Sequence, residues 1–151
     1  MTDGLNVAMQ PGTPAARMSL LLVEDDDADV MLVSRYLRRR GGDIALIVAR
    51  DGEEALAMLR AGEAVPRPYV ILTDLNMPGM SGHELIEEIR CDRALSNSVI
   101  FVISSSRLDE DIQQAYAHHV AGYLSKQMAP AEMEKSLRIV FDYCETVHLP
   151  S

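Results

Sequence analysis

Residues 19–37 read SLLLVEDDDADVMLVSRYL. An unbroken apolar run, Leu20 to Val23, meets Glu24 and Asp25, and Val30, Val33 and Leu37 then recur at helical spacing. A short continuous apolar run is what a strand covered on both faces requires, and the stripe after it is one side of an amphipathic helix. The unit repeats. Further runs stand at Ile44 to Ala49, Tyr69 to Thr73, Val99 to Ile103 and Gly122 to Leu124. The segments between and after them carry Ala55, Leu56 and Leu59, then Leu85, Ile86 and Ile89, then Ile112, Ala115 and Tyr116, and last Met133, Leu137, Val140, Phe141 and Cys144. Strands alternating with helices predict an α/β fold, a doubly wound parallel sheet of five strands with five helices, (βα)5. Local signals support the bounds: Asp51 and Glu54 form a variant capping box, Pro130 suits the first position of the last helix, and Gly41-Gly42 follows the first.

The chain has 151 residues, 48% of them apolar, enough for one domain with a full core. Residues 1–17, rich in Gly, Pro, Thr and Asn, read as a flexible extension, residues 18–147 as the domain, and 148–151 as a tail. Lys and Arg number 14 against 23 Asp and Glu, a formal charge of −9 that repels a phosphate backbone, so no nucleic-acid partner is expected. The basic run Arg38 to Arg40 reads as the solvated last turn of the first helix. Two cysteines make no disulfide framework and fit a reducing cytoplasm. No segment reads as a signal peptide or a membrane span, and a soluble cytoplasmic protein is the expectation. Among nine methionines, Met31, Met58 and Met133 lie beside Leu and Val and read as core filling. His83, His118, His119 and His148 lack a matching ligand set and read as structural or exposed.

In an open parallel sheet the functional crevice lies beyond the carboxyl ends of the strands. There the sequence places Glu24-Asp25 after the first strand, Asp74 after the third, Ser104 after the fourth and Lys126 after the fifth. Glu24, Asp25 and Asp74 repel one another in a partly dry crevice, and a hard divalent cation with oxygen ligands, Mg²⁺ first, relieves that. A carboxylate can also accept a phosphoryl group, provided the charge on the phosphoryl oxygens is neutralised. Asp74 is the expected acceptor, with Lys126 and Ser104 each meeting one phosphoryl oxygen. Asp26, Asp27 and Asp29 have a simpler reading as the acidic first turn of a helix.

These residues fall in VEDDDAD, ILTDLNMPGMSG, VISSS and GYLSK, which in order and spacing resemble the four landmarks of response-regulator receiver domains; the resemblance runs from about Ser19 to about Val147. It implies the flavodoxin-like strand order 2-1-3-4-5, for which a chemotaxis receiver is a standing example. It also implies phosphorylation of Asp74 by a sensor histidine kinase and a metal-binding backbone carbonyl at Asn76. A switch goes with these, in which Ser104 moves toward the phosphoryl group, Tyr123 changes rotamer, and the face of helix four, strand five and helix five is remodelled. Two departures stand out. Gln127 follows the lysine where the family usually has a cis proline, and Ser81 precedes Gly82 where Asp is commoner.

The closing FDYCETVHLP resembles the C-terminus of single-domain response regulators that serve bacteriophytochromes, and so implies such a kinase as partner and a homodimer through helix five and the tail. Phe141, Val147 and Leu149 are the expected contributors, against the alternative that they pack on their own domain. A haloacid-dehalogenase-type phosphatase needs an acid two positions after its nucleophile, where Asn76 stands, and a flavodoxin needs a phosphate-cradling first loop, where the acidic run stands. A receiver used only for docking would not need acceptor, metal acids, hydroxyl and lysine together.

Overall fold

Each apolar run becomes a strand and each stripe a helix in the computed structural model, which describes residues 16–127 and 129–151. In chain order these are β1 (Met18–Val23), α1 (Asp27–Arg40), β2 (Ile44–Ala49), α2 (Gly52–Ala61), β3 (Tyr69–Thr73), α3 (Gly82–Cys91), β4 (Val99–Ser104), α4 (Asp109–Ala117), β5 (Gly122–Ser125) and α5 (Pro130–Thr146). The strands form one parallel sheet in the order β2-β1-β3-β4-β5, as expected for a flavodoxin-like topology. Of the expected N-terminal extension, residues 1–15 lie outside the described residues.

Side chains of a strand alternate between the two faces, and β1 shows the consequence. Leu21 and Val23 join the helices α2, α3 and α4 through Leu56, Leu59, Leu85, Ile86, Ile89 and Ala115. Leu20 and Leu22 join α1 and α5 through Val30, Val33, Met133, Leu137, Val140 and Phe141. The sheet therefore has a core on each side, which is why its strands lack polar alternation.

The helix ends follow their local chemistry. Asp26 caps α1 by accepting from the amides of Ala28 (2.8 Å) and Asp29 (3.4 Å). Asp51 accepts from the Glu54 amide at 2.7 Å, while the Glu54 carboxylate takes the Arg50 amide at 2.6 Å, one residue before a standard box. Ser81 opens α3 with a complete capping box, so Ser81 serves as the helix cap in place of an aspartate.

Three expectations need correction. Met31 is 56% exposed and Tyr116 49% exposed, because each lies one position round the helix from the residue that faces the sheet, Val30 and Ala115. The basic run is more than a solvated turn: Arg40 bonds Asp142 (2.6 Å) and Glu145 (2.5 Å) and lies over the Phe141 ring, and Arg39 pairs with Glu134, which ties α1 to α5. Phe141 is fully buried in its own domain and so offers no surface to a second copy, while Leu149 is half-buried, packed against the same core. Among the described residues no helix is long and apolar enough to cross a membrane.

Candidate functional site

Parallel register sets the site. Val23 on β1 is level with Thr73 on β3, so the next residues, Glu24 and Asp74, emerge side by side where both strands stop. The sheet's hydrogen bonding extends one residue further, with the Glu24 amide on the Ala49 carbonyl (2.9 Å) and the Asp74 amide on the Val23 carbonyl (3.1 Å). Likewise the Lys126 amide donates to the Ser104 carbonyl at 2.9 Å, which fixes the lysine by strand pairing. Among the described residues the cis peptide is Arg67–Pro68, so the Lys126–Gln127 bond is trans, and the lysine reaches the crevice without the family's proline.

Within the crevice, one Asp74 oxygen accepts from the amides of Leu75 (2.7 Å) and Asn76 (3.4 Å), and the other lies 3.2 Å from Lys126 Nζ. The ammonium also meets Glu24 Oε1 at 2.8 Å and Asp29 Oδ2 at 2.8 Å. Glu24, Asp25 and Asp74 each present a carboxylate oxygen within 4.8 Å of the others. Glu24 and Asp74 are buried, Asp25 and Asn76 exposed at the mouth.

A close backbone approach holds Asp74 from behind. A Cβ at Gly82, the first residue of α3, would lie 2.2 Å from the Asp74 carbonyl oxygen and 2.7 Å from Leu75 Cα, so only glycine lets the helix start there.

The electrostatics follow from crowding. Burial pushes the Glu24 carboxyl up to about 7, the Lys126 ammonium opposes that shift, and the Asp74 charge adds to it. For Lys126, burial alone favours loss of the proton, but hydrogen bonds to Asp29 and Glu24 and the charge of Asp74 outweigh it and hold the amine cationic well above its ordinary range. Three carboxylates, Glu24, Asp29 and Asp74, thus surround one ammonium, and Asp25 adds a fourth negative group beside Glu24 and Asp74. The surplus negative charge and all-oxygen donor set of Glu24, Asp25 and Asp74 fit a hard divalent cation.

Ser104 is buried at the end of β4, and its Oγ accepts from the Ser106 amide at 3.1 Å without a bond to Asp74 or Lys126 side chains. Tyr123 is half-buried, its hydroxyl donating to the Ser106 carbonyl at 2.9 Å. Ser106 therefore bridges Ser104 and Tyr123, a contact that runs through its backbone amide and carbonyl. Its own hydroxyl donates to Asp111, which His83 also meets at 3.1 Å, tying the β4–α4 loop to α3. Tyr116 turns outward and accepts from the Tyr123 amide at 3.1 Å. Asp29 is the largest surprise: the acidic first turn of α1 supplies a partner to a lysine 97 positions away.

Comparison with known proteins agrees with this architecture. The family model described as response regulator receiver domain matches residues 20–138. Response regulator Rcp1 of Synechocystis is 36% identical over 136 residues, 87% of this chain and 92% of the relative. The probable methanogenesis regulatory protein FilR2 of Methanothrix harundinacea is 33% identical over 126 residues, 82% and 81% of the two chains. Among solved structures, the Mn(2+)-bound form of Rcp1 aligns with a TM-score of 0.81 at 36% identity over 89% of this chain and 99% of that one. The phosphorylated cyanobacterial phytochrome response regulator RcpA aligns with a TM-score of 0.82 at 34% identity over 90% and 100%.

Proposed function

The chain belongs to the response regulator receiver domain family, and from that premise we propose that it accepts a phosphoryl group on Asp74 from a sensor histidine kinase of the bacteriophytochrome type. The observation that carries this reading is the meeting of Asp74 with Glu24, Asp25 and Lys126 at the carboxyl ends of three strands. An Asp74 carboxylate oxygen bonds to phosphorus as the phosphohistidine N–P bond breaks, and the imidazole leaves with the electron pair. Backbone amides of Leu75 and Asn76 keep the carboxylate oriented for attack. Lys126 stabilises charge on one phosphoryl oxygen, and Ser104, whose Oγ accepts from Ser106, keeps its hydroxyl proton to donate to another. Glu24, Asp25, Asp74 and the Asn76 backbone carbonyl are the residues that would hold Mg²⁺, which when bound neutralises phosphoryl charge.

The signal leaves through Ser106. A Ser104 hydroxyl drawn to the phosphoryl group loosens its bond to the Ser106 amide, and the Ser106 carbonyl is the acceptor that holds the Tyr123 hydroxyl. Two arrangements of this loop with similar free energy suffice for a switch of the α4, β5 and α5 face. Self-association on α5 is the second reading, favoured by Ile139 at 53% and Val147 at 38% exposure on one helix and its end.

Phosphotransfer tests the first reading. Mixed with a phytochrome-type kinase, ATP and Mg²⁺, the parent takes up acid-labile phosphate and Asp74→Asn takes up none. Wild-type labelling of Asp74→Asn would overturn the assignment.

A further inference from the structure

The Lys126 ammonium carries three N–H bonds, and each has a carboxylate within reach: Glu24 at 2.8 Å, Asp29 at 2.8 Å and Asp74 at 3.2 Å. On the phosphoacceptor reading, two of these partners change as the site works. Glu24 and Asp74 belong to the group of carboxylates that can hold a cation, and the Asp74 carboxylate becomes an acyl phosphate. Asp29 belongs to neither set. It stands on the first turn of α1, its amide held by the Asp26 cap and its helix anchored by buried Val30 and Val33.

Lysine ends a flexible four-carbon stem, so its charge is useful at one point only if something fixes it there. From these contacts we propose that Asp29 is the positioning residue for Lys126. It keeps the ammonium at the crevice while Glu24 and Asp74 turn to other partners, and a released N–H then meets a phosphoryl oxygen. The acidic first turn so serves two purposes, the helix dipole and the lysine. Because the inference rests on phosphorylation of Asp74, its test must separate the two.

Acetyl phosphate with Mg²⁺ and the full chain provides the test. An Asp74 oxygen bonds to phosphorus, the phosphorus–oxygen bond to the acetyl group breaks, and acetate leaves with the electron pair, so no proton or co-reactant is needed. Asp29→Ala should slow labelling about tenfold, the loss expected of one charge-assisted hydrogen bond, and Asp29→Asn, which keeps an acceptor oxygen, should recover part of it. In a Lys126→Ala background Asp29→Ala should have no further effect, since nothing remains to be positioned. In Mg²⁺-saturated protein, where Glu24 and Asp74 have the cation as partner, the Lys126 ammonium should give a resolved nitrogen–proton NMR signal from slowly exchanging protons, lost in Asp29→Ala. Parental labelling by Asp29→Ala, an equal loss in both backgrounds, or an unchanged Lys126 signal would each overturn the role of Asp29. A parent that takes no label overturns the phosphoacceptor reading and this inference with it.

Discussion

Replacing Lys126 with alanine in protein stripped of divalent cations should destabilise the fold by an amount that grows with pH. Glu24 is 1% exposed, and burial has already pushed its carboxyl up to about 7 while the ammonium opposes that shift. Removing Lys126 takes the opposition away and raises the carboxyl further. A carboxyl that titrates higher in the folded than in the unfolded chain contributes stability that is full below the unfolded value of 4.5 and is lost as pH climbs to the folded value. In the parent this loss ends at about 7, and in the variant it continues. The penalty is therefore level between about pH 5 and 7, then rises by up to about 1.4 kcal/mol for each further pH unit. The level part reflects the lost partners Asp29 and Asp74; with Lys126 17% and Asp29 29% exposed, it falls below the ~3–5 kcal/mol of a fully buried pair, at about 2 kcal/mol. Urea denaturation followed by circular dichroism, with chelator, at about pH 5.5, 7 and 8 measures it. A penalty that stays level or shrinks toward pH 8 would refute the reasoning. Saturating Mg²⁺ should remove the rising part, because an ionised Glu24 then has a partner in both proteins.

Other outcomes follow from single contacts. Gly82→Ala forces a Cβ against the Asp74 carbonyl, so it should lose about 1–3 kcal/mol in a urea melt and label poorly with acetyl phosphate. Tyr123→Phe deletes the bond to the Ser106 carbonyl and should destabilise the chain by about 0.5–1.5 kcal/mol, with amide exchange quickened across residues 104–108. Ile139→Asp, or deletion of Thr146 to Ser151, should weaken self-association in sedimentation across a concentration series while leaving acetyl phosphate labelling intact; unchanged sedimentation removes α5 as the interface.

Much of this was legible because a doubly covered parallel sheet writes its strands as apolar runs and puts its chemistry at their ends. Strand order itself came from the resemblance, as alternation fixes no neighbours. Glu24, Asp25 and Asp74 stand where strands stop, and Lys126 is placed by its amide on Ser104, which is why Gln127 in place of proline does not displace it. Asp29 was missed for a physical reason: a carboxylate in a first helical turn has a local explanation, and that hides a partner 97 positions away. Met31 and Tyr116 were misplaced because a stripe read at helical spacing is uncertain by one residue, or about a quarter turn. Ser106 was not singled out, since its links to Ser104 and Tyr123 run through a backbone amide and carbonyl that any residue possesses.

The most direct test of the central claim is to find where the phosphoryl group goes. Treating the parent with acetyl phosphate and Mg²⁺, reducing the acyl phosphate with borohydride to homoserine, and sequencing peptides by mass spectrometry locates the acceptor. Homoserine is expected at position 74 in the parent, and no reduced acidic residue in Asp74→Asn. Homoserine at Asp25 or another aspartate of the parent, or 5-hydroxynorvaline at Glu24, with Asp74 intact, would contradict the claim.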